Sequence, residues 1–300
     1  MRSPFPGYEQ LSDLVLRAKD EDMGDDDVTS RLLIPADAVG RGVVVQKQPG
    51  VICGLPIVEM ICRVYDPQLQ VQGRDGLPLD ALEGQYAPAP NRQPILTIRG
   101  PMRSLLSAER VVLNFLQRLS GVATQTHRYV DAIRGTNARI YDTRKTTPGW
   151  RLLEKYAVTC GGGINHRIGL YDGLLVKDNH IAAIPLPGLA DELSKIVAVS
   201  RNEAPNRFIQ IEVDTLEQLI EVLKVARIDS ILLDNMDCDT MRKAVAMRDL
   251  AGQNGQVSLE ASGGVNFSTV RAIAQTGVER ISVGALTHSA VALDLGLDVE

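Results

Sequence analysis

From Ala138 onward, short runs rich in aliphatic and β-branched residues return at intervals: ARIYDT, DGLLVKD, RFIQIEV, DSILLDN, QVSLEAS and ERISVG. Between the later runs, LPGLADELSKIVAVSRN, LEQLIEVLKVA, DTMRKAVAMRDLAG and FSTVRAIAQTG place apolar residues at helical spacing. This alternation predicts a parallel sheet with crossover helices, because parallel neighbours cannot be joined by a tight hairpin. Six such runs favour an α/β barrel over an open sheet.

The N-terminal third follows a different pattern. Leu11, Leu14, Val15 and Ala18 predict a first helix over residues 8–22. GRGVVVQKQPGVICGL and PILTIRG read as short β segments divided by Gly and Pro turns, with a helix at PIVEMICRVYD between them. Without regular βα alternation, this third reads as α+β. SLLSAERVVLNFLQRLSGVATQTHRYVDAIRG is apolar at helical spacing and is read as two helices, the first from near Ser104, broken near Ser120-Gly121. They bridge into the second domain.

Composition narrows the function classes. Apolar residues make up 44% of 300, enough for a sizeable core. A formal net charge of −5 argues against nonspecific nucleic-acid binding, so any cationic cluster is local and aimed at a small anion. Cys53, Cys62, Cys160 and Cys238 form no CxxC pair, which argues against a zinc site or disulfide framework and for reduced thiols. MRSPFPGYEQ lacks the apolar core of a signal peptide, and no apolar run approaches the ~18 residues of a membrane span. The expectation is a cytoplasmic protein without nucleic-acid or membrane partners.

The chemistry collects where the strands end. The six runs lead into Arg144-Lys145, Lys177-Asp178, Glu212 with Asp214, Asp234-Asn235, Ser262-Gly263-Gly264 and Gly284-Ala285. In parallel α/β barrels these ends converge on one mouth. DTRKTTPGWR alone carries Arg144, Lys145 and Arg151, and GGGINHRIGL adds His166 and Arg167. Arg offers a planar fork for a carboxylate and Lys a compact charge for phosphate, so the pocket suits a ligand with several carboxylates or phosphates. His166 reads equally as a structural hydrogen-bonding residue. Glu212 and Asp234, at corresponding places on neighbouring strands, suit Mg²⁺ or ribose hydroxyls, or a structural ion-pair network. SGGV and SVGA each follow a strand and precede a helical stretch, as phosphate-binding loops do.

DTRKTTPGWRLLEKYAV, GGGINHRIGLYDGLLVKDNHI, IEVDT, LLDNM, LEASGGVN and SVGALTHS together resemble the quinolinate phosphoribosyltransferase family. The resemblance extends to KDEDMGDDDVTS near the start and IRGPMRSLLSAERVVLNFLQRLSGVAT in the bridge. It implies an α/β fold: an N-terminal α/β sandwich, residues 1–108 joined by 288–300, and an incomplete α/β barrel, residues 109–287. It implies transfer of the phosphoribosyl group of phosphoribosyl pyrophosphate to quinolinate, with Mg²⁺, giving nicotinate mononucleotide, pyrophosphate and CO₂ in de novo NAD synthesis. It also implies a homodimer or a hexamer of dimers with shared sites. Arg110, Thr143, Arg144, His166, Arg167 and Lys177 would hold quinolinate, Arg110 reaching in from the partner subunit. Lys145 and Lys177 would face the pyrophosphate. Glu212 and Asp234 would hold Mg²⁺ and ribose hydroxyls. Ser262, Gly263, Gly264, Val283, Gly284 and Ala285 would cradle the 5′-phosphate.

Two positions depart from the family pattern. Trp150 stands where Leu is usual, which reads as a packing change, and Asp26 replaces a glycine of an early turn. Two other readings compete: a related type II phosphoribosyltransferase acting on nicotinate or another acidic ring, and a non-catalytic pyridine-nucleotide sensor. The full cation set and the retained carboxylates favour the quinolinate enzyme.

Overall fold

The computed structural model describes residues 4–87 and 92–300. Residues 1–3 and 88–91 of the expected N-terminal domain lie outside the described residues. By contact density the chain divides into two compact units. One comprises Met1–His127, Thr146–Gly162 and Leu286–Glu300; the other comprises Arg128–Lys145 and Gly163–Ala285. Twelve strands occur among the described residues: β1 Val39–Gln46, β2 Gly50–Val51, β3 Gln70–Gly73, β4 Tyr86–Ala87, β5 Gln93–Pro101, β6 Arg139–Tyr141, β7 Gly173–Val176, β8 Phe208–Val213, β9 Ser230–Asp234, β10 Ser258–Ser262, β11 Arg280–Ser282 and β12 Leu295–Val299.

In the first unit, an antiparallel sheet runs in the order β12-β1-β5-β3. Helices Tyr8–Met23 and Leu55–Tyr65 bury Leu11 and Val15, and Leu55, Ile57, Val58 and Ile61. The second helix starts at Gly54, whose φ of 97° favours glycine, with Pro56 in the first turn. The N–H groups of Gly54 and Leu55 donate to the Glu83 carboxylate at 2.7 and 2.9 Å. A buried carboxylate is tolerated there because the helix N-terminus presents partial positive charge. Cys53 and Cys160, far apart in sequence, converge on Glu83 with ligand-type atoms within 4.8 Å. Burial, with Cys160 and Glu83 beside it, pushes the Cys53 thiol well above its usual value, so it is protonated.

The bridge read as two helices is one helix, Met102–Ala132, of 31 residues. Glycine at 121 serves contact rather than a break: a Cβ there would come within 2.2 Å of the Val291 carbonyl oxygen. Ser120 turns its hydroxyl to the Cys53 N–H at 3.0 Å. The polar-glycine pair is an inter-segment seam, and helical hydrogen bonding continues through it.

In the second unit, the six aliphatic-rich runs from Ala138 onward form one parallel sheet, ordered β6-β11-β10-β9-β8-β7. Crossover helices include Leu189–Glu203, Leu216–Val222, Cys238–Leu250 and Val270–Ala274. Strands β6 and β7 are the edges of this sheet, so it does not close on itself. Ile164 adds a parallel bridge to Tyr141 beside β6. No helix among the described residues is long and apolar enough to cross a membrane.

Candidate active site

Side chains alternate across a strand, so each strand sends every second residue to the same face. On β8 these are Gln210 and Glu212; on β9, Ser230, Leu232 and Asp234; on β10, Ser258, Glu260 and Ser262; on β11, Arg280 and Ser282. Pairing aligns them in register: Gln210 and Ser258 with Ser230, Glu212 and Glu260 with Leu232, Ser262 with Asp234, and Glu260 with Arg280. The result is a polar face with its outermost residues at the C-terminal strand ends.

There the second unit forms a pocket of about 530 Å³. Thr143, Arg144, Lys145, His166, Arg167, Lys177, Glu212, Asp234, Ser262, Gly263 and Gly264 line it, with Asp142, Asn235, Glu260 and Ser282. Arg110, Val283, Gly284 and Ala285 are not in that lining. Arg110 is exposed on the long helix, 3.9 Å from Glu109. Val283 is fully buried, and its N–H donates to the Tyr141 carbonyl at 2.9 Å.

The loops that carry the cations are tied down by groups that sequence reading did not single out. Asp142 is fully buried and accepts from Asn165 Nδ2 and the His166 N–H, both at 2.7 Å. It thereby ties the start of the DTRK loop to the INHR loop. Downstream, buried Glu154 accepts from the Thr147 N–H at 3.0 Å, Thr147 Oγ1 at 2.8 Å and Arg118 Nε at 3.1 Å. Arg151 turns back onto the loop, donating to Thr146 Oγ1 at 3.0 Å. Trp150 stacks on Phe115 with ring centroids 4.5 Å apart, a packing role. Asp26 pairs with Arg31. Arg167 donates to the Gly173 carbonyl at 3.2 Å. Its own burial and the Arg144 guanidinium pull its pKa below the usual value. Two cations this close favour an anionic guest.

Opposite charge gathers on the same side. Lys177 Nζ lies 3.9 Å from Glu212 Oε2. Burial pushes the Glu212 carboxyl up, Lys177 pulls it down, and Asp234, Asp178 and Asp214 push it up again. Asp214 is raised by burial, Asp178 and Asp234. Of these carboxylates Glu212 and Asp234 line the pocket, and they offer hard oxygen ligands of the kind a divalent cation takes.

Next to these carboxylates, Gly263 and Gly264 hold φ values of 85° and 60°. A Cβ at Gly263 would sit 2.1 Å from Asn235 Oδ1. Only glycine lets this loop lie so close to the end of β9.

Beneath the pocket, Glu260 is fully buried. It accepts from Gln210 Nε2 at 2.9 Å, Arg280 Nε at 2.6 Å and Ser282 Oγ. Burial alone would raise its pKa, but the His166 ring N–H, the Arg280 guanidinium and the Ser282 hydroxyl together hold it below its usual value. Because the folded value lies below the usual 4.5, the stabilisation is present above pH 4.5 and lost as pH falls through the lowered folded value. Acid titration followed by circular dichroism is expected to show stability falling through that window. Glu260→Gln should start less stable at pH 7 and show a shallower loss. An unchanged acid profile would contradict the charged network.

Family models described as "Quinolinate phosphoribosyl transferase, N-terminal domain" and "Quinolinate phosphoribosyl transferase, C-terminal domain" match residues 27–120 and 122–298. The chain is 42% identical over 293 residues to the nicotinate-nucleotide pyrophosphorylase [carboxylating] of Mycobacterium leprae, covering 97% of this chain and 98% of that protein. It is 40% identical over 281 residues to the probable nicotinate-nucleotide pyrophosphorylase [carboxylating] of Bacillus subtilis, covering 93% and 90%. A solved structure of the nicotinate-nucleotide pyrophosphorylase from Francisella tularensis superposes with a TM-score of 0.87 at 34% identity, covering 98% of each chain.

Proposed function

The chain belongs to the quinolinate phosphoribosyltransferase family, and we infer from this that it makes nicotinate mononucleotide from quinolinate and phosphoribosyl pyrophosphate, releasing pyrophosphate and CO₂. The observation that carries the reading is the pocket itself: Arg144, Lys145, Arg167 and Lys177 beside Glu212 and Asp234. Quinolinate carries two carboxylates on one pyridine ring, and phosphoribosyl pyrophosphate carries phosphates at both ends. A site that holds them together must neutralise both. We assign the step to de novo NAD synthesis in the cytoplasm.

Thr143, Arg144, Arg167 and Lys177 hold the quinolinate carboxylates, with Arg110 contributed by a partner subunit. Lys145 and Lys177 face the pyrophosphate. The Ser262-Gly263-Gly264 loop receives the 5′-phosphate, with the Val283–Ala285 segment continuing the cradle. Glu212 and Asp234 hold the ribose hydroxyls and Mg²⁺, which when bound neutralises charge on the pyrophosphate. The ring nitrogen attacks the ribose C1 as the C1–oxygen bond to pyrophosphate breaks, through an oxocarbenium-like state. The Lys ammonium groups stabilise the charge that develops on the leaving oxygen. Once quaternised, the ring takes up the electron pair of the bond to the C2 carboxylate, CO₂ departs, and C2 gains a proton. The protein supplies no nucleophile; it orients two anions that would otherwise repel.

A homodimer, alone or within a hexamer, completes each site. Leu170 and Tyr171, 73% and 76% exposed near edge strand β7, leave an apolar surface that a second copy would cover.

Incubation with quinolinate, phosphoribosyl pyrophosphate and Mg²⁺ is expected to release pyrophosphate and CO₂ in equal amounts, and chelation should stop turnover. Nicotinate should be a poor substrate. Efficient turnover of nicotinate without CO₂ would overturn the assignment.

A further inference from the structure

Both ring nitrogens of His166 face protein partners, and the partners differ in kind. The Arg167 N–H reaches Nδ1 at 2.8 Å, so Nδ1 accepts and carries no proton. Nε2 lies 2.9 Å from Gln210 Oε1 and 3.4 Å from Glu260 Oε1, both acceptors, so Nε2 carries the proton. The Gln210 amide is oriented by its other end, because its Nε2 donates to Glu260 Oε2 at 2.9 Å and Ser230 Oγ at 3.1 Å. Reversing that amide would set its oxygen against a carboxylate.

The approach of His166 to Glu260 could be read as an ion pair with an imidazolium. Geometry decides against it. A protonated Nδ1 would point its hydrogen at the Arg167 N–H across 2.8 Å. Glu260 needs no imidazolium either, since Arg280 Nε donates to it at 2.6 Å and Ser282 Oγ also donates. Arg280 is fixed in turn, its guanidinium 3.7 Å from the Tyr141 ring centroid. The main chain of His166 is pinned by Asp142.

We propose that Gln210 and Glu260 are positioning residues that fix His166 as the neutral Nε2–H tautomer, and that His166 in turn holds the Arg167 main chain so that its guanidinium is preset for a ligand carboxylate. His166 then acts through Arg167 rather than as an acid, a base or a cation. The carboxylate part rests on the function proposed above; the tautomer does not.

The test uses the full chain labelled with ¹⁵N-histidine at pH 7. His166 resonances are assigned by their loss in His166→Asn. Two-bond correlations from ring carbon protons identify which nitrogen bears hydrogen. The expected result is a protonated Nε2 and a bare Nδ1. An imidazolium or an Nδ1–H tautomer would overturn the proposal without any variant needing to fold. Kinetics supply the second arm. Asn can place an oxygen where Nδ1 stands, so His166→Asn should keep the KM for quinolinate within about threefold of the wild type, whereas His166→Ala, lacking any acceptor, should raise it at least about tenfold. The KM for phosphoribosyl pyrophosphate should be unchanged in both. If Asn and Ala are equally impaired and the loss lies in kcat, His166 is catalytic and the proposal fails. Should the protein not turn over quinolinate at all, the function falls while the wild-type tautomer still decides the positioning role.

Discussion

Arg144→Ala and Arg167→Ala are each expected to weaken quinolinate binding roughly ten- to hundredfold while leaving the fold intact. A hydrogen bond to a charged group contributes about 1.5–3 kcal/mol, and about 1.4 kcal/mol is a factor of ten. Both guanidinium groups line the pocket, and they lie close enough that Arg144 depresses the Arg167 pKa. Quinolinate should stabilise the wild type against heat far more than either variant. Calorimetric titration with quinolinate gives the affinity, and thermal unfolding with and without ligand gives the stability. Wild-type affinity in either variant would remove that residue from the quinolinate site. Arg→Lys is not a neutral control, because a point charge cannot reproduce the two parallel bonds of the guanidinium fork.

The residues that touch the pocket were easier to read in the sequence than those that hold them. Arg144, Lys177, Glu212 and Asp234 stand at strand ends, where charge interrupts an apolar run. That interruption is visible in one dimension. Gln210, Glu260 and Arg280 are also polar or charged but lie within strands, where such a residue can equally face solvent. Only the parallel register, which aligns Glu260 with Arg280 and Gln210 with Ser230, turns them inward together. The period-two pattern in IQIEV and SLEAS was the available signal. Asp142 opens the DTRK motif, yet its buried role depends on Asn165 and His166, more than twenty residues away. Fold elements divided along the same line. The strands of the parallel sheet show a local alternation. That Ser120-Gly121 is a contact seam against Cys53 and Val291 within an unbroken helix is something no local pattern records.

Arg110 carries the quaternary prediction. It lies on the 31-residue helix, its side chain 57% exposed, in a different compact unit from the residues that line the pocket. An exposed arginine on such a helix is either a solvated group or half of an interface. We expect it to act in a partner's site, and in a two-fold dimer the exchange is reciprocal, so each dimer has two composite pockets. With quinolinate held well below the wild-type KM, Arg110→Ala and Arg144→Ala should each retain no more than about a tenth of wild-type activity. Mixing the two after dissociation distinguishes the arrangements. If Arg110 acts across the interface, a mixed dimer has one pocket with both arginines and one with neither. Random pairing makes about half the dimers mixed, each with one competent pocket of two, so activity should recover to ~25% of wild type. If Arg110 serves its own subunit, every pocket still lacks one arginine and mixing restores nothing. Native mass measurement of tagged and untagged subunits establishes that exchange has taken place. Confirmed exchange without recovered activity would exclude the shared site.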